Sequence, residues 1–221
     1  MNQYNPLAVS EKLQADPSLS TLFEILRGYG EIPAAMWLKG GQECSLTFAE
    51  MTRRADDYAA CLYSLAPEGG WMALAVDTCV EWPGIFWGML RSGHNVLLLD
   101  ASASDSVLQG LLDEAGCRLI ITKKPRALAG NCRQIDFRTV AEAPRVIGYT
   151  PVWGEYVAMC TSGTTGRSRV FAYSGETLIQ QTLNSSQIYR ENKRIIGDEN
   201  RRFLAFLPFH QNVEHDKIIL V

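Results

Sequence analysis

Tyr156-Val157-Ala158-Met159-Cys160-Thr161-Ser162-Gly163-Thr164-Thr165-Gly166-Arg167-Ser168-Arg169-Val170 is the stretch on which the reading of this 221-residue chain turns. Its first five residues are apolar or aromatic and bounded by turn signals, the pattern of a strand buried on both faces. The next six carry four hydroxyls, two glycines and no apolar side chain. Glycine allows a backbone to approach a ligand closely and present its N–H groups. The hydroxyls add donors, and Arg167 and Arg169 add charge that does not titrate away. A strand entering such a loop suits a polyanion, most simply the phosphates of a nucleotide. The spacing is not that of the common phosphate loop, which ends in Gly-Lys-Ser/Thr. A solvent-exposed Ser/Thr/Gly turn is the plain alternative for a loop of this composition.

Upstream, short apolar runs alternate with amphipathic segments. Ser20 to Arg27 reads as a short helix stopped by Gly28. Pro33–Leu38 and Ser45–Phe48 flank Gly40-Gly41 and predict a hairpin. Thr47 and Glu50 fit a capping box for a helix carrying Met51, Ala55, Tyr58, Ala59 and Leu62 on one face. Trp71–Val76, Val96–Leu99 and Leu119–Ile121 are strands. Glu81–Ser92, with Pro83 in its first turn, and a segment begun by Ser104 are the helices between them. Strand–helix–strand alternation with short connections predicts parallel strands covered by helices, with Tyr156–Met159 a further member. Between Lys123 and Gly154 prolines break the pattern, which leaves a linker or edge strands. Beyond the loop, Ser174 is placed to cap a helix to about Ile196. Were its N-terminus to face the loop, the helix dipole would support phosphate. The charged run Arg190–Arg202 reads as a solvated helix end and turn.

Composition excludes more than it identifies. A hydrophobic content of 47%, a charged content of 20% and a net charge of −3 describe an ordinary globular chain with no nucleic-acid-binding surface. The six cysteines and three histidines form no metal-ligand or disulfide spacing, so the cysteines are expected to be reduced and mostly buried. No signal peptide and no run long enough to cross a bilayer is present. A cytoplasmic protein with no membrane partner is the expectation.

Thr161 to Gly166 resembles, at all six positions, the phosphate-binding signature of the AMP-forming, adenylate-forming enzymes: acyl- and aryl-CoA synthetases, luciferases and peptide-synthetase adenylation domains. That signature continues Pro-Lys-Gly, where this chain has Ser168, Arg169 and Val170. Leu46-Thr47-Phe48-Ala49-Glu50 is similar to the family's Leu-Thr-Tyr-x-Glu, and Met89 to Asp100 to its Leu-Lys-Ala-Gly helix-to-strand passage. Arg202 to His210 looks like its strand ending in Leu-Pro-x-x-His. The match covers roughly residues 45 to 210 in order.

The resemblance implies an α/β fold, the parallel-sheet N-terminal portion of such an enzyme's large domain. A first subdomain is expected over 1–150, and a second, bearing the loop, starts at 151–221. It implies ATP and Mg2+ as cofactors, a carboxylic acid as substrate, and CoA or a carrier-protein thiol as acceptor. Thr161, Ser162, Gly163, Thr164, Thr165, Gly166 and Arg169 would bind nucleotide, with Arg169 where the family has lysine, and His210 would border the acyl pocket. A surface histidine at a strand end is an equal alternative for His210. No later family motif for adenine, magnesium, ribose or the adenylation lysine occurs in these 221 residues. The expectation is therefore a truncated fragment, inactive alone and prone to self-association. The alternative is a non-catalytic nucleotide-binding or interaction module.

Overall fold

The computed structural model describes residues 6–130, 132–161 and 169–191. Two helices, α1 (Pro6–Ala15) and α2 (Leu19–Gly28), lead into the hairpin β1 (Pro33–Lys39) and β2 (Gln42–Thr47). Gly40 and Gly41 turn it with φ of 59° and 82°, the left-handed pair that a two-residue hairpin turn requires. Helix α3 (Phe48–Leu65) opens on the predicted capping box. The Glu50 N–H donates to Thr47 Oγ1 at 3.1 Å, and the Thr47 N–H to Glu50 Oε2 at 3.0 Å. Then follow β3 (Gly70–Ala75), α4 (Trp82–Arg91), β4 (His94–Leu98), α5 (Asp105–Glu114) and β5 (Leu119–Thr122). The chain continues with β6 (Arg133–Asp136), α6 (Phe137–Ala141), β7 (Tyr156–Thr161), β8 (Arg169–Ser174) and α7 (Gly175–Glu191).

The six strands from β3 onward form one sheet in the order β6-β5-β3-β4-β7-β8. The four predicted parallel strands pair as expected: β3 with β4 and β5, and β4 with β7. The division drawn at 150/151 falls between β6 and β7, both members of this sheet. Odd and even residues of the central strands feed two cores. Met72, Leu74, Val96 and Leu98 face α2, α3 and α4, while Ala73, Ala75, Leu97 and Leu99 face α5 with Leu108 and Leu112. Burial on both faces is why these strands read as unbroken apolar runs.

Several readings need correction. Strand β8 is antiparallel to β7 and was not foreseen, so the sheet is mixed. Residues 123–154 contain β6, which is the edge strand the sequence left open, and also the short α6. Helix α1 was not foreseen either. Helix α2 starts at Leu19, one residue before the predicted Ser20, because Ser18 caps it by accepting from the Thr21 N–H at 3.1 Å. Of the six cysteines only Cys117 is buried; the others are half-buried and all six are free. The predicted end of the last helix near Ile196 and the run Arg190–Arg202 lie wholly or partly outside the described residues.

One buried histidine makes the fold sensitive to acid. His94 begins β4 with no solvent exposure, its Nδ1 2.9 Å from Ser92 Oγ. Burial holds the imidazole below its usual range, against weaker opposing pulls from the Glu68 carboxylate and a hydrogen bond to the Ala66 backbone. The unfolded chain thus takes up a proton near pH 6.5 that the folded chain refuses. Stability is complete above that pH and falls as pH drops through it, by at most about 1.4 kcal/mol per unit. Urea midpoints should decline from pH 7.5 to 5.5, and His94→Gln should flatten that slope. An equal slope in the variant would assign the acid sensitivity to another group.

Candidate functional site

In open α/β sheets ligands collect at the carboxyl ends of the strands. Here β3, β4, β5 and β7 all run parallel, so their carboxyl ends share one edge. The chain reverses its direction of travel across the sheet between β3 and β5, with α4 and α5 on opposite faces. That crossover lies two strands away from the hydroxyl-rich loop, which leaves β7. The loop's donors, rather than topology, single out its end of the edge.

Residues 162–168 join β7 to β8, and Thr161↔Arg169 is the last pair of the ladder. Arg169 is exposed at the mouth of this hairpin. The Val170 N–H, one residue on, donates to Glu114 Oε1 of α5 at 3.2 Å. A carboxylate 56 residues away in sequence thereby holds the base of the loop. Cys160, across the ladder from Val170, has its thiol pushed up to about 11, first by burial and then by the Glu114 charge. It stays a neutral thiol near pH 7 and offers no thiolate nucleophile there. Ser162, Gly163, Thr164, Thr165, Gly166 and His210 lie outside the described residues, as does the expectation that the loop is exposed.

Helix α7 is not aimed at the loop. Its first residue, Gly175, follows Ser174, which pairs with Tyr156 at the entry of β7, and the Gly175 N–H donates to Glu155 O at 2.8 Å. The length of a six-residue strand, about 20 Å, separates that N-terminus from Thr161. A terminal dipole fades within one turn, so α7 gives phosphate at this loop no support.

The segment that delivers β7 is anchored on α4. Val152 N–H donates to Arg91 O at 3.0 Å, Gly154 N–H to Leu90 O at 2.7 Å, and the Tyr149 hydroxyl to Arg91 O at 3.1 Å. The buried Arg91 guanidinium lies 4.3 Å from the Phe23 ring centroid and 5.1 Å from that of Trp153. It bonds to Asp56, which also accepts from Arg27 at 2.9 Å. Nε and Nη1 of Arg91 have no hydrogen-bond partner among the described residues. This cluster ties α2, α3 and α4 to the strand entry; it is on the far side of β7 from the loop.

Among the described residues no three His, Cys, Asp or Glu side chains converge as metal ligands, and no helix is long and apolar enough to cross a membrane.

The chain's sequence matches the family of AMP-binding enzymes over residues 22–221. No curated protein matches it at significance. Its fold is similar to the Klebsiella oxytoca NpsA N-terminal subdomain in complex with 3-hydroxybenzoyl-AMSN, with a TM-score of 0.62 and 16% identity over 72% of this chain and 41% of that one. It is also similar to the α-methyl-L-serine-AMP-bound form of the nonribosomal peptide synthetase FmoA3, with a TM-score of 0.62, 18% identity, and 76% and 19% coverage. A third likeness is to the inhibitor-bound N-terminal domain of FACL13 from Mycobacterium tuberculosis, with a TM-score of 0.59, 20% identity, and 71% and 45% coverage. The chain spans less than half the length of each. The family match over most of the sequence, on an α/β fold shared with adenylation and acyl-CoA synthetase N-terminal domains, decides the assignment: this chain belongs to the AMP-binding enzyme family.

Proposed function

We propose that this chain supplies the phosphate-binding wall of an ATP-dependent carboxylate-activating ligase. In that reaction a carboxylate attacks the α-phosphate of ATP, leaving an acyl adenylate and pyrophosphate. A thiol of CoA or of a carrier protein then accepts the acyl group. The observation carrying this reading is the Thr-Ser-Gly-Thr-Thr-Gly sequence joining the last parallel strand to an antiparallel partner at the carboxyl edge of the sheet. Thr161 to Gly166 would hold the β- and γ-phosphates through hydroxyl and backbone N–H donors. Arg169, opposite Thr161 on the ladder, fits the role of a cation beside them, although its forked guanidinium binds differently from an ammonium. His210 would border the acyl pocket.

In the full-length parent Mg2+ would sit beside the ATP phosphates and help to neutralise their charge, a site that needs only one or two protein carboxylates. The chemistry depends on alignment and on neutralising charge as pyrophosphate leaves. One wall supplies neither the adenine contacts nor the in-line placement of the carboxylate. The 221-residue chain alone is therefore expected to bind ATP weakly and to catalyse no carboxylate-dependent ATP–pyrophosphate exchange, whereas a protein containing the full domain should.

The test is titration of the chain with ATP at two salt concentrations, with exchange measured over a panel of carboxylic acids. Arg169→Ala should weaken ATP binding roughly 3- to 10-fold at low salt and less at high salt, because an exposed charge is readily screened. Unchanged affinity in that variant would remove Arg169 from the site. No binding at all by the parent chain would leave it an interaction module.

A further inference from the structure

The entry of β7 carries one residue more than the chain it pairs with. Val152 pairs in parallel with Ser92, just ahead of β4, and Val157 pairs with Val96 inside it. Five steps along one chain thus match four along the other, the count of a β-bulge, which is rare between parallel strands. Two consecutive N–H groups, those of Glu155 and Tyr156, lie in this bulge and both donate to one acceptor, Asn95 Oδ1, at 3.0 and 3.1 Å. Successive N–H groups of a regular strand point to opposite edges and could not share an acceptor. Just upstream, the Gly154 N–H is held by Leu90 O at 2.7 Å. The extra residue is therefore absorbed where Asn95 caps the chain.

The ladder that fixes β7 along β4 is short: Val96↔Val157 and Leu97↔Ala158 only, whereas β7 and β8 pair over six residues. The bulge decides which residues that short ladder brings together. Val157 and Met159 pack in the core facing α2, α3 and α4, and Ala158 in the core facing α5. Without the bulge, Val96 would stand opposite Tyr156 and these side chains would trade faces. The end of β7 would also move by about 3.3 Å along the sheet.

We propose that Asn95 is a positioning residue for the phosphate loop: its amide oxygen closes the bulge and so fixes the register in which β7 delivers Thr161 to the carboxyl edge of the sheet. The proposal rests on the reading of the connection after Thr161 as a phosphate site. Asn95 acts through the backbone of β7 and touches no phosphate itself. Both bonds use only the acceptor oxygen. Aspartate keeps an oxygen there and should serve in its place, whereas alanine should not.

The experiment measures amide hydrogen exchange and ATP binding at low salt for the 221-residue chain and for Asn95→Ala, Asn95→Asp and Ile121→Val. Ile121 is buried in β5, on the other side of β3 from β4, so its shortening lowers stability without touching the bulge. In Asn95→Ala the amides of residues 155–160 should exchange about 10-fold faster or more, as two lost hydrogen bonds imply, while those of β3 and β5 change by less than about 3-fold. Asn95→Asp should return the 155–160 amides to within about 3-fold of the parent. ATP affinity should fall about 3- to 10-fold in Asn95→Ala and stay within about 2-fold in the other two variants. Unchanged exchange in Asn95→Ala, no recovery in Asn95→Asp, or the same selective loosening in Ile121→Val would each overturn the proposal. So would full ATP affinity in an Asn95→Ala chain whose hairpin has loosened. If the parent chain binds no ATP, the phosphate reading falls, and the exchange data alone uphold or overturn Asn95 as the residue that sets the register.

Discussion

Replacing Gly154 with alanine is expected to prevent stable folding. A Cβ at this position would sit 2.0 Å from His94 O and 3.1 Å from Asn95 N, both backbone atoms of a central strand. Flexible side chains can swing aside, but a ladder strand buried on both faces cannot. The same contact region carries the Gly154 N–H bond to Leu90 O and the seat of Trp153 against Phe23 at 5.7 Å. Overpacking a tight interior costs 1–3 kcal/mol when neighbours yield; against fixed backbone about 4 kcal/mol or more is the expected cost. That approaches the whole stability of a domain. Soluble yield and urea unfolding of Gly154→Ala measure it. A variant that unfolds within 1 kcal/mol of the parent would mean that strand β4 and the 152–154 segment separate more easily than their packing implies.

The second large effect concerns the buried guanidinium, and it has an asymmetric signature. Asp56→Ala should cost about 3 kcal/mol, because it leaves Arg91, 3% exposed at its side chain, charged and without its carboxylate. Arg91→Met should cost far less, within about 1 kcal/mol, since a thioether fills the slot between Phe23 and Trp153 and leaves Asp56 with Arg27 and partial solvent access. The double variant should then resemble Arg91→Met rather than the sum. Three urea curves decide it. If Arg91→Met proves the more damaging change, the ion pair is a net source of stability rather than a compensated burial.

What could be read from the sequence was what depends on neighbours in sequence. The Thr47–Glu50 box, the Gly40-Gly41 turn, the Ser104 and Ser174 caps and the apolar strands are set within three or four residues, and each stands where the pattern put it. Strand β8 escaped because Arg169 to Ser174 alternates too weakly: Phe171 and Ala172 are both exposed at the sheet's edge, so neither face gives a clean hydrophobic period. Helix α1 escaped for a similar reason, its polar face outweighing Leu13 and the other residues it buries. At the candidate site the loop's hydroxyl-and-glycine composition could be read directly. The part of Glu114 could not, because only the packing of α5 against β8 brings a carboxylate to the Val170 N–H. The direction of α7 was equally hidden, since it depends on β8 running back to the entry of β7.

The ladder pair Thr161↔Arg169 separates two properties that usually trade against each other. It fixes the distance between the ends of the connection, so the ring-closure entropy is met by strand pairing, whatever the seven residues between them do. Doubling that connection should lower global stability by only about 0.6 kcal/mol. Any capacity to grip phosphate depends instead on where each donor stands along the connection. Insertions here would leave a protein that melts normally while any such grip is lost, which makes this hairpin a place where sequence can drift without a penalty in folding.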